Sequence, residues 1–175
     1  IDEGLYLPKP LDVIIAIDES GSMCDVIESV KAASKAWVQR YADPKYQFAL
    51  VLVPDDVADG KVTLKSNFGM AGTFVAALTP ETCGMAGDEP TLDVIMLAAD
   101  AANPLALQWT PGAEKLIVIF GDEYAQTKLG ATSTGANTAA KDAGISVTVF
   151  TRSWSAASYM PLTTHDIAQG AVQLE

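Results

Sequence analysis

The stretch LDVIIAIDESGSM, residues 11–23, decides how the rest of this chain is interpreted. It begins with a continuous apolar run of strand length, which is typical of a strand buried on both faces at the centre of a parallel sheet. Asp18, Ser20 and Ser22 follow at alternate positions on a turn that contains Gly21. They place one carboxylate and two hydroxyls at the carboxyl edge of the sheet, where open α/β sheets bind ligands. Such oxygen ligands suit a hard divalent cation such as Mg²⁺.

A simpler interpretation of this turn is that Asp18 and Ser20 only cap the next helix, a task that needs one such side chain. Two later loops favour a metal site. Thr91 opens a predicted helix after a glycine-containing loop, and Asp122 follows the apolar run 116–120. The predicted metal ligands are therefore Asp18, Ser20, Ser22, Thr91 and Asp122.

The apolar pattern along the whole chain alternates between strand and helix periods, in the order β-α-β-β-α-α-β-α-β-α-β. The strands at 48–53 and 62–68 flank a turn and predict a hairpin. We therefore expect an α/β fold with a doubly wound, mostly parallel sheet, one antiparallel edge strand and helices on both faces. A lead-in segment is expected at 1–10, and one domain over 11–175.

Composition and charge exclude several classes of partner. The chain has 175 residues, of which 49% are hydrophobic, which suffices for one domain with a sizeable core. Acidic residues outnumber basic ones 22 to 11, so nucleic acid is not expected as a partner, because phosphate binding needs basic patches. No apolar run approaches the ~20 residues of a membrane span. The first residues lack a start Met and a signal-peptide pattern, and we expect the chain to be part of a larger protein.

The three loops together resemble the metal-ion-dependent adhesion site (MIDAS) of the von Willebrand factor A (vWA) family. The match consists of the D-x-S-x-S turn at 18–22, Thr91 and Asp122, in that order and each at a strand end or helix start. The resemblance implies a Rossmann-like vWA fold over essentially the whole chain. It also implies hydroxyls that touch the metal, aspartates that often act through water, and an open position for a partner's acidic side chain. Mg²⁺ is the implied ion, with Mn²⁺ or Ca²⁺ as alternatives.

Some positions depart from that family pattern. Gly121 stands where relatives often have a threonine before the third-loop aspartate. The second loop is similar to that of integrin β subunits, so Glu89 rather than Thr91 is an alternative source of an oxygen ligand. Asp25 matches the first of two acids that form an adjacent metal site in integrin β domains, but Val26 leaves that site incomplete. The alternative is that Asp25 is a solvated acid in the first turn of a helix.

Further polar groups lie on the loops predicted to surround the site. The additional acids there are Glu19, Glu81, Asp88 and Glu123. They form either an ordinary solvated rim or a set that tunes metal preference toward Ca²⁺ and rejects acidic decoys. Cys24 and Cys83 face the same edge of the predicted sheet, so a bridge is geometrically plausible and would indicate an oxidising compartment. Otherwise both are small, buried apolar residues.

The remaining aromatic side chains and the single histidine carry no enzyme signature. Trp37 is expected in the core, and packing is favoured over partner contact for Trp109 and Trp154. His165 is expected to pack or be solvated near the last helix. A Ser-His-Asp hydrolase would need an exposed serine on a tight elbow, and the sequence has no G-x-S-x-G.

Three functions remain open at this point. The leading hypothesis is a non-enzymatic binding or adhesion domain, extracellular or at the cell surface, that engages a protein or glycan through the metal. The second is a cytoplasmic vWA assembly subunit, as in chelatases and the partners of AAA+ ATPases. The third is a phosphatase-like enzyme with Asp18 as nucleophile. That chemistry needs a second acid where Ser20 stands and a lysine at a strand's carboxyl end, whereas Lys115 enters its strand at the other end.

Overall fold

The structure is a computed structural model that describes residues 9–53, 62–78, 88–162 and the backbone of 172–173. Its strands are β1 Leu11–Asp18, β2 Tyr46–Val53, β3 Thr63–Gly69, β4 Glu114–Phe120, β5 Ile145–Thr151 and β6 Val172–Gln173. Its helices are α1 Ile27–Arg40, α2 Ala71–Ala77, α3 Thr91–Ala99, α4 Ser133–Asp142 and α5 Ala156–Tyr159. Short 3-10 turns cover Gly21–Asp25 and Met160–Leu162. The order of strands and helices is the predicted one.

The strands form one six-stranded sheet in the order β3-β2-β1-β4-β5-β6. β1 lies between β2 and β4 and is parallel to both, while β3 pairs antiparallel with β2 at one edge. The predicted hairpin and the predicted mostly parallel sheet are therefore confirmed. Every residue of β1 after Leu11 is buried, as expected for a central strand covered on both faces.

Side chains of β1 alternate between two apolar cores, one on each face of the sheet. Val13, Ile15 and Ile17 pack with apolar residues of α1 and α2. Ile14 and Ala16 pack with residues of α3, α4 and α5. On the α1 face, a groove of about 360 Å³ opens between that helix and strands β4 and β5, and its lining is mainly apolar. The fold is thus doubly wound, and the carboxyl ends of β1, β2, β4 and β5 meet at one edge.

Helix α3 differs from its predicted form in extent and burial. The spacing of Leu92, Ile95, Met96 and Ala99 predicts a helix over 91–102 with one apolar face. The helix instead ends at Ala99, and its first five residues are all buried. Its outer side is covered by the loop 126–129, which Asp93 holds by accepting hydrogen bonds from the Thr127 hydroxyl and the Lys128 N–H. The helix stops because Asp100 is extended and its side chain accepts the Ala102 N–H.

The three tryptophans have different environments. Trp37 is half-buried, and its ring packs edge-on against Phe48 of the core, as expected. Trp109 is half-buried against Phe68. Trp154, for which core or rim packing is the prediction, is exposed, and its ring packs edge-on against Tyr124 at the surface.

Several predicted features lie outside the described residues. They are the lead-in segment up to residue 8, the turn at 55–60, Glu81, Cys83 and His165. Within the described ranges, no helix has the length and apolar character needed to cross a membrane.

Candidate metal centre

The carboxyl ends of β1 and β4 bring the first and third predicted loops together. Ile17 and Phe120 are paired in neighbouring strands, so Asp18 and Asp122 leave the sheet side by side. Asp18 Oδ1 accepts the backbone N–H of Ser20 at 2.8 Å. The Ser22 hydroxyl donates to Asp122 Oδ1 at 2.8 Å and lies 2.9 Å from the Ser20 hydroxyl. Since the one proton of Ser22 goes to Asp122, Ser20 donates to Ser22, and a chain of hydrogen bonds links both loops.

Glu89 joins this cluster from the second loop. Carboxylate oxygens of Asp18, Glu89 and Asp122 all lie within 4.8 Å of one another, and the three residues are buried. The backbone N–H of Glu89 is held by the side-chain oxygen of Gln126 at 3.1 Å. The structure therefore adds Glu89 to the cluster, whereas the sequence predicts it only as an alternative to Thr91. The sequence feature that points to Glu89 is the acidic, proline-containing loop before α3.

The three carboxyl groups fit a hard cation. Six buried side-chain oxygens of the described residues have no hydrogen-bond partner, and two of them, Asp18 Oδ2 and Glu89 Oε2, lie in this one cluster. Burial, together with the adjacent Asp18 carboxylate, raises the pKa of Glu89 to about 9. Burial also raises the pKa of Asp18, although the hydrogen bond from Ser20 opposes this. A divalent cation would displace the proton that the raised pKa keeps on Glu89 and would take both unpartnered oxygens, so the donor set suits Mg²⁺, Mn²⁺ or Ca²⁺.

Thr91 is close to these carboxylates but does not cap its helix. A threonine at the start of a helix is typical of an N-cap, which is what the sequence predicts for Thr91, but the N-cap of α3 is Pro90 and Thr91 is the first helical residue. Its hydroxyl lies 3.0 Å from the hydroxyl of Tyr159, which donates to the carbonyl of Glu123 at 3.1 Å. Because the single proton of Tyr159 goes to Glu123, Thr91 is the donor between the two hydroxyls. The lone pairs of Thr91 Oγ1 therefore stay available for a cation.

Gly121 leaves room for this arrangement. A Cβ at position 121 would lie 3.3 Å from Asp18 Oδ2 and 3.6 Å from the methyl group of Thr91. Asp18 and Thr91 would therefore both touch the same added Cβ, and the 3.3 Å contact with the Asp18 carboxylate is tighter than an ordinary van der Waals contact. The structure thus brings all five predicted ligands and Glu89 to one edge of the sheet.

Asp25 is a solvent-exposed acid, as one of the two alternatives predicts, but it ends the 3-10 turn Gly21–Asp25 and is engaged in an ion pair. Its two carboxylate oxygens accept from Arg152 Nη2 at 2.6 and 2.8 Å, and this guanidinium lowers the pKa of Asp25. Arg152 Nε also lies 3.9 Å from Asp122 Oδ2. A guanidinium thus lies between Asp25 and the metal centre. Arg152 is 127 residues from Asp25 along the chain, and no local sequence pattern pointed to it.

Glu19, predicted to lie on the acidic rim, is buried. Its carboxylate pairs with Lys31 of α1 at 2.9 Å. The alternation of the D-x-S-x-S turn sends Asp18 and Ser20 toward the metal centre and Glu19 toward the helix. Asp88 is exposed and Glu123 is half-buried, so these two acids remain at the surface.

The environment of Cys24 contradicts burial as an apolar residue. Cys24 is exposed in the 3-10 turn after Ser20 and is disulfide-bonded. The second cysteine of the chain, Cys83, lies outside the described residues.

Comparisons with known proteins identify the fold. No protein-family model matches the chain, and no curated protein matches it. The SpRpn10 VWA domain superposes with a TM-score of 0.68 at 12% identity, over 93% of this chain and 87% of that one. This chain has a vWA fold. Proximal thread matrix protein 1 (PTMP1) from the mussel byssus, in a structure with a zinc-occupied MIDAS motif, has a TM-score of 0.69 at 14% identity.

The match to PTMP1 covers 94% of this chain but only 40% of the PTMP1 chain. A second PTMP1 structure gives the same TM-score over 87% of this chain and 39% of that one. The likeness confirms the predicted vWA fold. The case for a metal centre rests on the side chains of this chain, above all on the buried carboxyl cluster.

Proposed function

We propose that this vWA domain binds a divalent cation, with Mg²⁺ as the physiological ion, and through it an acidic side chain of a partner protein. The ligands are Asp18, Ser20, Ser22, Thr91 and Asp122, together with Glu89. The observation that carries the proposal is the pair of buried, unpartnered oxygens on Asp18 and Glu89 within one carboxyl cluster. An orphaned carboxylate oxygen is costly to bury unless a cation or proton donor completes it.

The burial of the site sets the side from which a partner approaches. Asp18, Ser20, Glu89, Thr91 and Asp122 are buried, whereas Ser22 is exposed. The bound ion supplies an electrophilic centre that a carboxylate from outside can complete. The hydroxyl ligands leave more of the positive charge on such an ion than an all-carboxylate cage does. We therefore place the partner's acid on the Ser22 side.

A binding role is favoured over phosphoryl transfer. Asp18 is 1% exposed, and one of its oxygens is held by Ser20, so it is poorly placed to attack a substrate. Among the described residues, no lysine directly follows the carboxyl end of a strand, as such chemistry requires, and the ammonium of nearby Lys31 on α1 is paired with Glu19. Lys115 lies at the start of β4, where its ammonium donates to the Ala143 carbonyl and lies over the ring of Trp109.

The Cys24 disulfide favours an oxidising compartment, because such bonds are rare in the cytosol. We therefore propose an extracellular or cell-surface binding domain, in preference to a cytoplasmic assembly subunit working with an AAA+ ATPase or chelatase.

The test is to titrate EDTA-stripped protein with Mg²⁺, Mn²⁺ and Ca²⁺ and to follow calorimetric heat and melting temperature. Saturation at one hundred times Kd stabilises the fold by about 2.7 kcal/mol, which corresponds to a rise of several degrees. Asp18→Ala is expected to abolish this response and to melt higher than metal-free wild type, because it removes a carboxylate whose burial is unfavourable.

The matched control is Asp43→Asn, which changes an exposed acid beyond the opposite edge of the sheet and is expected to respond to metal as wild type does. A wild-type protein that shows neither heat nor a shift with any of the three ions contradicts the metal site.

A further inference from the structure

Two exposed aromatic side chains contact each other on the loops after β4 and β5. Tyr124 is 53% exposed and Trp154 is 48% exposed, and their ring centroids lie 5.2 Å apart with the planes at 74°. Apolar surface that is contiguous and exposed is typical of a binding site. Tyrosine and tryptophan are also enriched among the side chains that contribute most to protein–protein affinity.

The pair borders the metal centre. Tyr124 follows Asp122 by two residues, and with 3.8 Å between successive Cα atoms the two Cα atoms lie within about 7.6 Å. Trp154 follows Arg152 by two residues, and Arg152 Nε lies 3.9 Å from Asp122 Oδ2. Both aromatic residues are therefore tied to the third loop of the site.

Hydrogen bonds on either side of Tyr124 hold its loop against α5. The carbonyl of Glu123 accepts from the Tyr159 hydroxyl at 3.1 Å. The N–H of Ala125 donates to the Ser158 hydroxyl at 2.8 Å. A preorganised aromatic contact loses little conformational entropy when a partner binds, which raises the affinity it contributes.

We infer that Tyr124 and Trp154 form a second contact of the ligand-binding surface and that the partner is a protein segment with a bulky apolar side chain close to its acidic residue. This inference rests on the proposed function, because the metal takes the acid. An extended segment advances about 3.3–3.6 Å per residue, so the upper limit of about 7.6 Å between the Asp122 and Tyr124 Cα atoms corresponds to at most about two positions.

The geometry of the pair favours a side chain over a sugar. An edge-to-face pair covers part of one ring with the edge of the other and leaves a corner between the two planes. A branched or aromatic side chain can contact both rings at once in this corner, whereas a stacked sugar would use the face of one ring only. The partner surface is therefore assigned to protein rather than glycan.

The experiment uses a displayed peptide library with a fixed central Asp or Glu and randomised flanks. Peptides are selected on the Mn²⁺-loaded protein and eluted with EDTA. We expect enrichment of Phe, Trp, Leu or Ile within two positions of the acid. For a selected peptide, Trp154→Ala and Tyr124→Ala are each expected to raise Kd at least tenfold while leaving the Kd for Mn²⁺ unchanged.

Tyr41→Ala is the matched control, because it removes an exposed aromatic side chain at the far end of α1. It is expected to leave peptide affinity unchanged, and the melting temperature of each variant verifies that it is folded. Selected peptides that keep the acid but show no apolar preference, or equal binding by Trp154→Ala, overturn the inference and leave the proposed function standing.

Two further outcomes distinguish a glycan partner from the absence of any metal-dependent partner. One outcome is that no peptide is enriched, while the protein binds a glycan array in the presence of Mn²⁺ and Trp154→Ala abolishes that binding. This outcome overturns the assignment of the partner as a protein. The other outcome is that the protein binds Mn²⁺ but binds neither a peptide nor a glycan in an EDTA-sensitive way. This outcome refutes the proposal that the metal recruits a partner, and it also refutes the aromatic contact.

Discussion

Glu89 lies buried beside Asp18 and Asp122, and its raised pKa of about 9 makes the stability of the metal-free protein depend on pH. Below pH 4.5, its ordinary pKa, Glu89 is protonated in both the folded and the unfolded chain. Between 4.5 and 9 only the folded chain keeps the proton. The free energy of unfolding is therefore expected to fall as pH rises through this window, by at most about 1.4 kcal/mol per pH unit.

Urea unfolding in EDTA between pH 5 and 9 measures this dependence. Glu89→Gln carries no titratable proton and is expected to give a flatter profile and a more stable protein at pH 8. If the variant and wild type lose stability in parallel over this range, the pKa of Glu89 is not the cause.

Tyr159 is expected to set the affinity of the site through Thr91. Its hydroxyl receives the Thr91 proton and so directs the lone pairs of Thr91 toward the carboxyl cluster. Loss of a group that orients a metal ligand typically weakens binding ten- to a hundredfold. We expect Tyr159→Phe to raise the calorimetric Kd for Mn²⁺ about tenfold.

Combining this change with Thr91→Val tests whether the two residues act together. The double variant is expected to bind Mn²⁺ no more weakly than Thr91→Val alone, since Tyr159 acts through that hydroxyl. Tyr46→Phe, on β2, is the control. A wild-type Kd in Tyr159→Phe shows that Tyr159 only packs.

The turn after β1 is attached to helix α1 by a buried ion pair. Glu19 and Lys31 lie 2.9 Å apart, and both side chains are almost fully buried. Removing one partner leaves a buried charge uncompensated, which typically costs about 3–5 kcal/mol. Lys31→Met is expected to lower the free energy of unfolding by that amount.

Adding Glu19→Gln to Lys31→Met is expected to recover most of the loss, because no lone charge then remains buried. Lys35→Met changes an exposed lysine one turn along α1 and is expected to have little effect. Urea unfolding compares all four proteins. Lys31→Met with wild-type stability is the result that contradicts a coupled pair.

Helix α3 shows which part of a helix's burial the local apolar pattern predicts. The apolar spacing of Leu92 and Ile95 predicts the side of α3 that meets the sheet, and both are buried. The second buried side of α3 depends on the loop 126–129, which Asp93 holds. No local pattern in α3 contains that information, because the covering residues lie more than thirty positions away.

At the scale of the whole molecule, we predict that Cys24 is bridged to Cys83, since the sequence has only these two cysteines. Closing a loop of roughly 60 residues stabilises the fold by about 4 kcal/mol in the chain-entropy model. Reduction is expected to lower the urea midpoint accordingly, and Cys24→Ala with Cys83→Ala is expected to match the reduced protein. Two alkylated thiols, detected by intact mass in non-reduced protein from an oxidising host, contradict the bridge.

The sequence by itself determined the sheet, its central strand and the three loops of the candidate site. Each of these depends on local information: the apolar run 13–17, the oxygen side chains directly after it, and Asp122 after the apolar run of β4. The carboxyl ends of parallel strands then lie at one edge of the sheet as a direct consequence of the strand direction. This is why Asp18, Ser20, Ser22 and Asp122 could be predicted as neighbours.

Only the tertiary structure decided which other groups complete or surround the site. Glu89 enters the carboxyl cluster, Arg152 pairs with Asp25, Tyr159 orders Thr91, and Glu19 turns away to Lys31. Most of these contacts join residues far apart in the chain, and the direction in which Glu19 points depends on what packs against the turn. Burial in three dimensions, rather than spacing along the chain, gives these side chains their charge state and their partners.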